Sequence, residues 1–140
     1  MKTARLLLVF GSLLFVSVAA FAASTEQQLQ ALKAQFPSVH VQKVRVEFKD
    51  RFDTIEIQVP HIDVWSKYHG AVLSANLASL PIVVARLEAS AKTDADALRQ
   101  QANTASGKSA RRQADLTARW LTGPLQGYLK QLKTLQASNK

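Results

Sequence analysis

The spacing of apolar residues changes along the chain, and each change marks a different element. Leu6–Val18 is nearly continuous apolar sequence, interrupted only by Gly11, Ser12 and Ser17. From Ser24 the spacing becomes helical, with Leu29, Leu32 and Phe36 on one stripe and Pro37 as the stop. Ser24 followed three residues later by Gln27 is a capping box that starts this helix. Val44, Val46 and Phe48 then alternate with Arg45, Glu47 and Lys49, and Ile55, Ile57 and Val59 alternate with Thr54, Glu56 and Gln58. Period two predicts a half-buried antiparallel hairpin, ended by Pro60. Setting Phe48 opposite Asp53 pairs Val46 with Ile55, Val44 with Ile57, and Arg45 with Glu56, an attractive cross-strand match. Val39 and Val41 have the opposite parity to Val44, which predicts a bulge near Gln42-Lys43.

His61–Gly70 fits a third short strand, a loop, or a helix capped by Asp63. Beyond it the pattern is helical with breakers. Ala71–Ser79 is rich in Ala and Leu, and Pro81 marks a kink or a first turn. Leu80, Val83, Val84 and Leu87 form a stripe, and Thr93 is placed to cap a further helix over Asp94–Ala105. Gly107 breaks the pattern. Ser109–Thr122 sets Leu116, Trp120 and Leu121 on one arc, with Arg111, Arg112, Asp115 and Arg119 opposite. After Gly123-Pro124, Leu125, Tyr128, Leu129, Leu132 and Leu135 make one clean face. The order predicts an α+β fold: an N-terminal helix, an antiparallel β-hairpin with room for a third short strand, and a helical C-terminal half.

The first segment is not part of that fold. Lys2 and Arg5 precede the apolar run, and Ala20-Phe21-Ala22 follows it with small residues at the two inspected positions. This order is that of a cleavable secretory signal over residues 1–22. A membrane-spanning helix wants about 20 apolar residues, a length reached here only by counting Ala19–Ala23. The expected product is a periplasmic protein of residues 23–140, the size of a single domain. The chain has no Cys, which excludes disulfides, thiolate metal sites and thiol catalysis.

Charge divides the chain unevenly. Residues 23–97 are close to neutral, whereas residues 98–140 hold eight basic residues and one acid, Asp115. This asymmetry suggests an anionic partner for the final third, and export makes nucleic acid unsuitable. Arg111, Arg112 and Arg119 are the candidate anion contacts. Trp65 and Tyr68, with Lys67 and His69, form the densest aromatic cluster, a composition suited to binding, with Trp65, Lys67 and Tyr68 as the candidate contacts, or to anchoring the hairpin. His61, Asp63 and His69 could ligate a metal, although the set lacks a fourth ligand. Gly107-Lys108-Ser109 lacks the earlier glycine and the preceding strand of a phosphate loop and reads as a turn. No nucleophile motif is present, and no cofactor is expected.

Residues 27–59, with Phe36-Pro37 leading into a hairpin, resemble the N-terminal dimerisation region of periplasmic disulfide isomerases. The Cys-x-x-Cys that carries that family's activity is absent, so the resemblance implies no isomerase function. The expected function is that of a non-enzymatic accessory protein of the bacterial envelope, docking a protein or an anionic component. Both edges of a two-stranded hairpin are free, so partner-strand addition or homodimerisation through Val39–Phe48 or Phe52–Val59 is the expected docking mode. The alternative is a small metal-assisted hydrolase using His61, Asp63 and His69. N-terminal sequencing of the native protein should begin at Ala23; a start at Met1 or Lys2 would refute export by cleavage.

Overall fold

The computed structural model describes residues 24–138, so the leader expected at residues 1–22 lies outside the described residues. The elements are α1 (Thr25–Ala34), β1 (His40–Phe48), β2 (Arg51–Val59), α2 (Ile62–Ser74), α3 (Leu80–Thr104), α4 (Lys108–Thr122) and α5 (Pro124–Ser138). The α+β arrangement holds, with a two-stranded sheet and helices on either side of it in sequence. Helix α3 packs along α4, both meet α5, α1 closes against α5, and β2 lies on α4.

Local chemistry explains the starts and stops. The Ser24 hydroxyl accepts the Gln27 N–H at 3.1 Å, and the Gln27 side chain accepts the Ser24 N–H at 3.0 Å. The capping box is therefore complete. Leu29 and Phe36 enter the core. Pro81 occupies the first turn of α3, where a missing N–H costs nothing. Gly123 closes α4; a Cβ there would lie 3.0 Å from the Arg119 carbonyl oxygen, so that backbone would have to give by a few tenths of an ångström to admit a side chain.

The hairpin differs from expectation in its register. The loop is only Lys49-Asp50, so Phe48 faces Arg51, Val46 faces Asp53 and Val44 faces Ile55. Arg45 therefore lies opposite Thr54, and Lys43 takes the place opposite Glu56. The shift is by two residues, which leaves every side chain on its expected face. Val44, Val46, Ile57 and Val59 are buried as the alternation requires. The bulge near Gln42-Lys43 is absent: the ladder runs unbroken from His40, and Val41 simply turns outward, 57% exposed.

One open helical reading is decided and two expectations are corrected. Of the three readings of His61–Gly70 the helical one holds, with residues 62–70 in α2, and His61 rather than Asp63 caps it, accepting the Asp63 N–H at 3.3 Å. That helix ends at Ser74, because Asn76 and Ser79 exchange side-chain to backbone bonds in the following turn. Thr93 starts no helix, since α3 runs unbroken through it and its hydroxyl donates to the Ala89 carbonyl at 3.2 Å. Such back-bonding satisfies the hydroxyl inside a helix and removes the cap.

Asp94 instead acts as a tie between α2 and α3. Its Oδ2 accepts from the Tyr68 hydroxyl at 2.6 Å and from Lys67 Nζ at 2.8 Å. Burial disfavours its charge, but the bonds from Lys67 and Tyr68 prevail and hold the carboxyl below its ordinary value of 3.8. Burial first, and the bond to ionised Asp94 second, push the Tyr68 hydroxyl well above its usual range. A depressed carboxyl contributes stability that is present above 3.8 and lost as pH falls through the folded-state value. Asp94→Asn should therefore lower stability by about 1–3 kcal/mol at neutral pH. Denaturation curves of variant and parent should converge only as the pH falls below the depressed folded-state value of Asp94.

Candidate functional site

The expected Trp65, Lys67 and Tyr68 cluster is not one surface. Tyr68 is fully buried, and Lys67 is committed to Asp94. Trp65 donates its indole N–H to the Pro37 carbonyl at 2.7 Å and stacks on His69 with ring centroids 4.3 Å apart. Phe36 meets both of those rings, at 6.0 Å and 5.0 Å. These three residues anchor α2 to its neighbours, which is what large aromatics do in the core of a small domain.

His61, Asp63 and His69 do not converge either. His61 caps α2 with its Nδ1, and Asp63 sits beside it at 3.7 Å. His69 lies about 12 Å further along the helix axis, at 1.5 Å per residue, against Phe36 and Trp65. Among the described residues no three His, Cys, Asp or Glu side chains are grouped to hold a metal ion. The hydrolase alternative thus has no ligand geometry behind it. Purified protein soaked with zinc and desalted should retain sub-stoichiometric metal, measured by elemental analysis, and His61→Ala should leave that content unchanged.

The basic residues are brought together elsewhere. An open groove of about 470 Å³ separates the outer half of β1 from the α3–α4 corner. Arg45, Lys108, Arg111 and Arg112 line it, with Glu47 and Asp115 as its acids. Lys108 Nζ donates to the Glu47 carbonyl and Arg111 Nε to the Ala105 carbonyl, so both side chains are positioned by neutral partners. Asp115 is already engaged by Arg119 at 3.2 Å. Among the described residues, none of the four groove cations is paired with a carboxylate.

The helix start beneath these cations makes their placement more telling. Gly107 gives α4 no side-chain cap, and its first turn contains no acid. Cations at the positive end of a helix dipole are disfavoured by a few tenths of a kcal/mol or more each. Of the three expected anion contacts, Arg111 and Arg112 line the groove, whereas Arg119 lies about two turns further along and faces Asp115. Arg45 was missed, because in the expected register Glu56 neutralised it. Lys108 was legible only as one more basic residue in a basic segment.

The backbone of β1 is also partly open. The Glu47 carbonyl points outward to Lys108, so the backbone groups of Val41, Lys43 and Arg45, of the same parity, point outward too. The opposite edge is approached by Gln113, whose amide donates to the Gln58 carbonyl at 3.4 Å. No family model, curated protein or solved structure matches the chain. The resemblance of residues 27–59 to an isomerase dimerisation region therefore rests on the pattern of that segment alone.

Proposed function

We propose that this protein is an exported, non-enzymatic binding protein of the bacterial envelope, and that the groove between β1 and the α3–α4 corner docks an anionic partner. One observation carries the reading: Arg45, Lys108, Arg111 and Arg112 converge on one groove without a carboxylate partner among the described residues. Cations that serve only solubility are spread and interleaved with acids. These are gathered on two separate elements, at a helix end that disfavours positive charge. Arginine offers planar, forked donors that match phosphate or carboxylate oxygens. The export signal and the absence of any nucleophile motif support a binding role over a catalytic one.

Polyphosphate is a suitable soluble probe, since it presents anions without a lipid or protein scaffold. The protein should bind it at low salt and release it as salt rises, because an exposed groove is screened over about 8–10 Å. Arg112→Glu combined with Arg111→Glu should weaken binding by about tenfold or more, the equivalent of roughly 1.4 kcal/mol. Arg119→Glu combined with Lys130→Glu, an equal change of charge outside the groove, should cost much less. Equal losses for the two variants in a titration would mean that only net charge matters and would remove the groove from the account.

A further inference from the structure

The tip of the hairpin is built unlike the rest of the exposed surface. Every residue from Glu47 to Phe52 is exposed, directly beyond the buried Val46. Within that run stand two phenyl rings, Phe48 at 37% exposure and Phe52 at 53%. The register puts them on opposite faces, so the tip carries one ring on each side. Each ring has a cation against it: Lys108 Nζ lies 5.5 Å from the centroid of Phe48, and the Arg45 guanidinium 4.0 Å from that of Phe52. Lys49 occupies the turn itself without an ion-pair partner among the described residues.

Apolar rings at a projecting turn contribute little to folding, since the core lies behind them. They gain when something apolar covers them. The occupant must also accept the cations around them, because burying Arg45 or Lys108 without an anion is unfavourable. A protein partner needs on the order of 1,000 Å² of complementary surface, and two rings on opposite faces of a turn are not a continuous patch. A bilayer interface matches both demands at once. The rings enter the boundary of the acyl chains, while long basic side chains reach back to the headgroup phosphates. Glu47 and Asp50 reduce the local charge, but Arg45, Lys49, Lys108 and the adjoining Arg111 and Arg112 outnumber them. No helix among the described residues is long and apolar enough to cross a membrane.

We propose that the hairpin tip docks on an anionic phospholipid surface, with Phe48 and Phe52 in the interface and Arg45, Lys49 and Lys108 on headgroup phosphates. This deepens the groove reading and rests on it, by naming the anion as a lipid phosphate. The test uses the chain from Ala23 onward, which contains the whole core, in vesicle flotation. Vesicles of phosphatidylglycerol with phosphatidylethanolamine should carry the protein, and vesicles of phosphatidylcholine should not. Phe48→Ser with Phe52→Ser should lower the partition coefficient about tenfold or more while leaving polyphosphate binding and thermal melting in place. Phe52→Trp should be quenched by brominated acyl chains, which charge adsorption alone would not produce.

Flotation of the double serine variant equal to that of the parent, or a tryptophan that is not quenched, would overturn the insertion. Polyphosphate binding without vesicle binding would also overturn it and leave the groove reading standing. Loss of both would remove both. A chain that self-associates through the tip, with serine substitution abolishing the dimer and no vesicle binding in either form, would assign the rings to a second copy and overturn the lipid assignment.

Discussion

The ring of Phe36 is where four of the five described helices are held together. It leaves the end of α1 and meets Trp65 and His69 of α2, Trp120 of α4 and Tyr128 of α5, with ring centroids between 5.0 and 6.1 Å apart. Three of these contacts are edge-on, the arrangement in which a ring's positive rim faces another's negative face. The same knot satisfies the backbone at the end of α1. The Tyr128 hydroxyl donates to the Leu32 carbonyl at 2.8 Å, and the Trp65 indole donates to that of Pro37. Burial pushes Tyr128 up to about 12, so it stays a neutral donor across the whole working range of pH. With no disulfide available, this cluster fixes the angle at which the chain leaves α1 and enters the hairpin.

That angle decides where binding chemistry can be. The root of the hairpin is buried through Val44, Ile57 and Val59, and the following segment is tied down where the Thr117 hydroxyl accepts the His61 N–H at 3.1 Å. Among the described residues, the far end of the hairpin has no hydrogen bond from a helix other than that of Lys108. A sheet held at one end and solvated at the other exposes its turn by construction. The charges around it are consequently drawn from two distant parts of the chain, a near-neutral half and a basic third.

Much of the fold was legible because its signals are local. The capping box at Ser24, the alternation in both strands, the breaks at Gly107 and Gly123-Pro124, and the apolar face of α5 each depend on neighbours within a few residues. The errors, and the one reading left open, came where two local rules competed. Thr93 with two following aspartates has the composition of a helix start, yet Ala91 and Ala95 are buried on the same stripe as Val84 and Leu87. The stripe continues, and packing prevails over capping. His61–Gly70 carries aromatic and β-branched residues that suit a strand, but Tyr68 and Val72 at helical spacing find the core. The binding cluster was misread for a related reason: composition shows which residues are capable of binding, and only packing shows which are already occupied.

The register of the hairpin links these two kinds of error. Charge pairing on its own favours Arg45 opposite Glu56, worth a few tenths of a kcal/mol on a solvated face. The two-residue loop costs that pair and replaces it with Lys43 opposite Glu56, so the electrostatic difference between the registers is small. The faces are identical in both, because the shift is by two, so burial does not choose between them either. Loop length therefore decides, and with it the chemistry of the tip. In the longer-loop register Arg45 would be neutralised and Phe52 would belong to the loop. In the observed one Arg45 is free of carboxylates, lies over the ring of Phe52, and faces the groove cations of α4. A turn too short to leave an imprint on the hydrophobic pattern thus determines which cation is available to an anion.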